Sequence, residues 1–200
     1  MDIVEKYIAG LKNAYISNGA KQEWEDFEKV IHGASKENIE KLRTMYPDIP
    51  ESLIKLLEFV DGTYWRKYAG EEIAFYFLGS DVECYPYYLL SSEEMMESEC
   101  PGWLKEYINR EYEDVVDIDD KIIDNADKMN WLHFSDCMNN GGTSQLFIDF
   151  SPSDEGVKGQ IVRFLHDPDE IAVIADSFDE YLQMLIDYKY DFINEDIIDE

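Results

Sequence analysis

The chain has 200 residues, 45% hydrophobic and 14% aromatic, which is enough to bury a core without disulfides or metals and far from a disordered composition. It carries 45 acidic and 17 basic residues, a formal net charge of −28 at pH 7. That balance argues against nucleic acid and anionic membranes, which need clustered Lys and Arg, and it favours a basic protein as partner.

The first element is expected to be a helix, since Val4, Tyr7, Ile8, Leu11 and Tyr15 recur at helical spacing. Asn18-Gly19 breaks it, and Trp24, Phe27, Val30 and Ile31 carry a second helical pattern as far as Gly33. Ser35 is an expected N-cap, with Ile39 and Leu42 turned inward. Pro50 opens a further helix with Leu53, Ile54, Leu56, Leu57 and Val60 as its stripe, and Gly62 is its expected left-handed stop. Ile73 to Leu78 and Tyr85 to Leu90 are expected strands. Ser91 with Glu94 matches a capping box.

Residues 93 to about 128 are acidic and less patterned. One short helix is suggested by Trp103, Leu104, Tyr107 and Ile108, and Glu111 to Asp127 holds eight acids against the single base Lys121. This stretch is expected to be an insertion on the domain surface. Strands are then expected at Trp131–Phe134, Gln145–Phe150, Gln160–Leu165 and Ile171–Ala175, with a turn at Asn139-Asn140-Gly141-Gly142. Ser177 with Glu180 opens a closing helix, and the acidic tail past Tyr190 is expected to fray. Helices and strands segregated in this way predict an α+β fold, a single mixed or antiparallel sheet flanked by helices.

No pattern of catalytic chemistry stands out. Asp117-Ile118-Asp119-Asp120-Lys121 has a calcium-loop flavour, but Lys121 takes a ligand position and Ile122 sits where glycine belongs, so a solvated acidic face is favoured. His166-Asp167 lies between two expected strands and is better read as a turn than as a metal pair. A Cys137–His133 pair lacks an orienting partner, and core packing is its default. Cys84, Cys100 and Cys137 make no disulfide framework. The stretch Met1-Asp2-Ile3-Val4-Glu5-Lys6 does not begin a signal peptide, and no segment has the roughly 18 apolar residues that span a bilayer. The expectation is a cytoplasmic, non-enzymatic protein without cofactor or metal.

Several segments together resemble the SUKH superfamily, which includes fungal cell-wall-synthesis regulators and many bacterial proteins. They are Ile49-Pro50-Glu51-Ser52-Leu53 running to Asp61-Gly62, then Phe77-Leu78-Gly79-Ser80, Tyr87 to Ser91, Trp131 to Asp136, Gly141-Gly142 through Phe150, Gly156 to Val162, and Ile174 to Phe178. The likeness covers about residues 35 to 186. It divides the chain into an N-terminal helical extension (1–33), a SUKH-like domain (34–190) with the acidic insertion, and an acidic tail (191–200).

The resemblance implies a binding role. Bacterial members are typically immunity proteins that neutralise toxins, often nucleases, and fungal members act as regulatory scaffolds. The leading expectation is an immunity protein against a basic toxin, and the alternative is a regulatory scaffold in signalling or cell-wall synthesis. Acids combined with aromatic anchors make the expected contacts. These are Asp61, Tyr64, Trp65 and Tyr68 after the second family helix, and Glu111, Asp114, Asp117, Asp119 and Asp120 in the insertion.

Overall fold

Asp2 opens helix α1 (Ile3–Ser17) with a reciprocal cap: Asp2 Oδ1 accepts the Glu5 N–H at 3.0 Å, and Glu5 Oε2 accepts the Asp2 N–H at 3.1 Å. A computed structural model describes residues 2–98, 100–112, 114–137 and 144–198. The expected turn at Asn139 to Gly142 lies outside the described residues.

Helix α1 buries Val4, Tyr7, Leu11 and Tyr15 along one stripe, and α2 (Lys21–Val30) buries Trp24 and Phe27. Ser35 caps α3 (Lys36–Met45) by accepting the Asn38 N–H at 3.1 Å. Pro50 is the N-cap of α4 (Glu51–Phe59), which buries Leu53, Ile54, Leu56 and Leu57. All four helices contribute to one hydrophobic cluster with Leu132, Phe134, Leu146, Ile148 and Ile161 of the sheet. The N-terminal helices thus share their core with the rest of the chain.

Among the described residues, two short strands, β1 (Arg66–Tyr68) and β2 (Glu71–Ile73), form an antiparallel hairpin. The main sheet contains β3 (Tyr88–Leu89), β4 (Asp117–Ile118), β5 (Trp131–Asp136), β6 (Gln145–Asp149), β7 (Gln160–Leu165) and β8 (Glu170–Ala175). Its order is β3-β5-β6-β7-β8-β4, antiparallel throughout except for the parallel β4–β8 pair. The fold is therefore α+β with a mixed sheet.

Alternation along the central strands gives the sheet two apolar faces. Leu132, Phe134, Leu146, Ile148 and Ile161 meet the helical cluster, which α7 (Phe178–Asp187) completes with Phe178, Tyr181, Leu182 and Leu185. Trp131, Phe147, Val162, Phe164 and Ile171 face the other way. Leu104 and Ile108 of α6 (Gly102–Ile108), with Val116 and Ile122, cover them. The acidic stretch expected on an already complete surface therefore supplies the sheet's edge strand β4 and the second core layer, preceded by α5 (Ser92–Glu97). Fully burying one Leu, Ile or Phe side chain contributes about 1.5–3 kcal/mol, so this layer is integral to the fold.

Three expectations need correction. Ile73 to Leu78 is not a strand: beyond Ile73 it makes only an isolated bridge, Leu78 to Tyr87. Its carbonyls are capped from the helices instead. Tyr7 Oη donates to Phe77 O at 2.6 Å and Tyr15 Oη to Tyr76 O at 2.7 Å, while Phe75 stacks on Phe27 at 4.0 Å. Gly62 is not the stop of α4, whose cap is the extended Val60. With φ at +89°, Gly62 lets the chain pass so close to Ser91 that a Cβ would sit 2.7 Å from Ser91 N. The tail is anchored as far as Ile193: Phe192 and Ile193 are buried, and Asn18 Nδ2 donates to Ile193 O at 2.9 Å. A short helix, α8 (Glu195–Ile198), follows.

Candidate partner-binding surface

Loop 109–125 leaves α6 through Asn109 and Arg110. Arg110 takes φ +61° and donates from its two terminal guanidinium nitrogens, Nη1 to Ile108 O and Nη2 to Ile122 O, each at 3.1 Å. These bonds hold the two ends of an acidic segment together. On one side of Arg110 and Asp120 lies a groove of about 730 Å³, walled by Asp124, Asp154 and Glu155 with Lys128. On the other lies a groove of about 440 Å³, walled by Asp114, Val115 and Asp117. Val115 is 77% exposed, an apolar side chain standing among carboxylates.

Beside the outer layer, Trp103 and Tyr107 of α6 close over Phe164 of β7. The Trp103–Phe164 centroids are 4.6 Å apart and the Trp103–Tyr107 centroids 5.6 Å apart. With His166 and Asp169 of the β7–β8 turn they line a pocket of about 230 Å³. Tyr107 Oη donates to Asp169 Oδ2 at 2.6 Å, and His166 Nδ1 meets Asp169 Oδ1 at 2.8 Å. Burial is the largest influence and raises the Asp169 carboxyl, but these two hydrogen bonds, together with a backbone hydrogen bond at Asp167, hold it below its usual range. The bond to Asp169, helped by burial, pushes the Tyr107 hydroxyl up to about 12. Tyr112 packs edge-on against Tyr107 and is itself exposed, which extends the aromatic wall toward the acidic loop.

Two further polar constellations are internal. Asp61 Oδ1 accepts the Ser92 N–H at 2.7 Å and Asp61 Oδ2 accepts from Arg66 at 3.1 Å, while Arg66 also holds Glu93 at 3.0 Å. His133 Nδ1 meets Ser98 Oγ at 2.8 Å and His133 Nε2 meets Asp136 Oδ1 at 3.0 Å. In a hydrolytic triad the serine sits on Nε2 and the carboxylate on Nδ1, the reverse of this order. Here the chain joins the end of α5 to β5. Among the described residues no group of three or more His, Cys, Asp or Glu side chains is placed to hold a metal ion.

The family model of the SMI1 / KNR4 family (SUKH-1) matches residues 33–184. The chain belongs to the SUKH-1 family. No curated protein matches it. Within the SUKH-1 match lie α3 to α6, the first seven residues of α7 and, among the described residues, every strand, whereas α1 and α2 precede it and bury Tyr7, Leu11, Tyr15, Trp24 and Phe27 in the same core.

The SUKH-1 fold sorts the expected contact residues into two groups. Asp61 is only 2% exposed and Tyr68 is fully buried with its hydroxyl donated to Gly62 O at 2.6 Å, so neither can meet a partner. Both are fixed by the junction between α4 and α5. Asp119 is half-buried and its carboxylate accepts the N–H groups of Lys121 and Val173, so it orders the turn after β4. Tyr64 is half-buried against Tyr88, with centroids 5.2 Å apart. Trp65 is 51% exposed at φ +49° on the β1–β2 hairpin. Glu111, Asp114, Asp117 and Asp120 are exposed, the last three lining the grooves, neither of which Trp65 lines.

The residues that sequence reasoning missed are Trp103, Tyr107, Tyr112, Phe164, His166 and Asp169. Trp103 and Tyr107 stand four apart in an acidic stretch, a visible signal, but they read as an inward stripe of a short helix. Their partners Phe164 and Asp169 lie some sixty residues away and meet them only through the sheet.

Proposed function

We propose that this protein is an immunity protein that acts by binding and not by catalysis: in the cytoplasm it captures a basic toxin domain, and a nuclease is the toxin class that fits best. A nuclease must be basic to hold phosphates, and an acidic surface offers it a competing site with fast, steered association. The observation that carries the reading is the face built by residues 103–124. It gathers the exposed carboxylates of Asp114, Asp117 and Asp120 in one groove with the apolar Val115, and Tyr112, two residues before Asp114, packs against Tyr107 of the aromatic wall. Acids steer the encounter and aromatic anchors supply short-range affinity, the division of labour found in protein interfaces. Charge is distributed accordingly, with −2 on residues 1–50 and −26 on residues 51–200.

The test is co-expression with basic nuclease toxin domains, beginning with any encoded beside this gene. Growth that depends on this protein supports the reading. Equal killing with and without it sinks the immunity role and leaves the regulatory scaffold as the family's other role.

A further inference from the structure

The pocket of Trp103, Tyr107, Phe164, His166 and Asp169 has a more specific chemistry than a general anchor. At about 230 Å³ it is smaller than the roughly 300–1,000 Å³ clefts that hold drug-sized ligands, so its size suits a single side chain. Phe164 forms a buried floor, and Trp103 and Tyr107 stand over it as tilted walls at 4.6 and 6.3 Å between centroids. Ring faces attract cations, and a planar guanidinium also stacks on them. The carboxylate of Asp169 holds the negative charge of the pocket. Tyr107 and His166 each occupy one of its oxygens, which fixes its orientation, and a carboxylate has about four acceptor sites, so further hydrogen bonds can be accepted.

We infer that this pocket receives an arginine side chain of the protein partner, its guanidinium laid against the exposed ring of Trp103 and hydrogen-bonded to Asp169. The inference rests on the proposed binding of a basic protein and names the residue that binding places here. Charge complementarity argues for this occupant, because the −26 carried by residues 51–200 selects a cationic partner surface. An apolar side chain would leave the Asp169 carboxylate facing it without a new partner, which opposes such an occupant.

The experiment titrates the intact protein with N-acetyl-arginine methylamide and, separately, with its neutral citrulline counterpart. Amide resonances of Phe164 and His166 and the indole N–H of Trp103 are followed. The arginine compound is expected to shift them saturably and the citrulline compound not to. Asp169→Asn and Trp103→Leu are each expected to weaken the response roughly tenfold, while Glu40→Gln on the exposed face of α3 leaves it unchanged. If Trp103→Leu disturbs the fold, Asp169→Asn decides alone. Equal responses to arginine and citrulline, or full binding by Asp169→Asn, would overturn the inference. Protection from the toxin with no arginine response sinks the pocket and spares the immunity reading. An arginine response without protection does the opposite.

Discussion

Tyr107 Oη donates to Asp169 Oδ2 at 2.6 Å, a bond that fastens α6 of the outer layer to the turn between β7 and β8. Tyr107→Phe removes the bond and keeps the ring. The expected cost is about 1 kcal/mol in a urea titration, at the low end for a bond to a charged group because water reaches the pair. The spectrophotometric titration of tyrosine should lose one of the two components near 12, the other belonging to Tyr190. Loss of stability without loss of that component would mean the bond is not made.

Asp61 presents a sharper contrast, since it was expected at a partner surface and is instead enclosed beneath Ser92 and Arg66. Asp61→Ala leaves the Ser92 N–H without its acceptor and Arg66 with Glu93 alone, and should cost about 2–3 kcal/mol. Asp61→Asn keeps an oxygen for Ser92 and should cost less. Neither should change affinity for the toxin domain. A tenfold loss of affinity in a variant that stays folded would return Asp61 to the interface.

The C-terminal segment is a structural strap. Phe192 lies against Gly79 so closely that a Cβ there would be 2.3 Å from Phe192 Cδ1, and Tyr190 Oη donates to Tyr7 O at 3.1 Å. Phe192→Ala should destabilise by about 3–5 kcal/mol, the range for deleting a buried aromatic ring. Gly79→Ala should destabilise as well by pushing the ring away. A midpoint within experimental error of the parent for Phe192→Ala would show that the tail does not hold the core.

Stability should rise as the solution is taken from neutral to mildly acidic pH. Burial raises the carboxyls of Asp149 and Asp191 above their ordinary value. A folded value above the unfolded one means that their contribution is full below the unfolded value and lost as pH rises through the folded value. Acidification from neutral pH therefore favours the folded state through these two groups. Relief of self-repulsion from −28 acts in the same direction. The carboxyls of Glu51 and Glu93, lowered by hydrogen bonds to Arg43 and Arg66, act oppositely as pH falls through their own folded values. Urea midpoints should therefore rise on mild acidification and fall again once the lowered carboxyls, Glu51 and Glu93 among them, are protonated. Asp149→Asn should flatten the rise, and a steady decline from pH 7 downward would contradict it.

Helices with a clear stripe were legible in the chain. Val4, Tyr7, Leu11 and Tyr15 define α1 by spacing alone, and Ser91 with Glu94 marks the start of α5 through its cap. Ile73 to Leu78 misled because local alternation carries no information on who takes the backbone carbonyls, and here the hydroxyls of Tyr7 and Tyr15 do. Strand β4 is two residues long and exists only because β8 pairs with it. Of the site, the exposed acids Asp114, Asp117 and Asp120 could be read from composition. Enclosed Asp61 could not be told from them, because the local sequence does not show that Ser92 folds back onto it.

Whether the face of residues 103–124 binds a basic toxin domain is decided by measuring association of such a domain with the parent protein and with the triple variant D114N/D117N/D120N, at low and at high salt. The parent's association rate should fall steeply with salt, and the variant should associate more slowly at low salt and converge on the parent at high salt. Identical rates for the two proteins at both salt concentrations would contradict such binding.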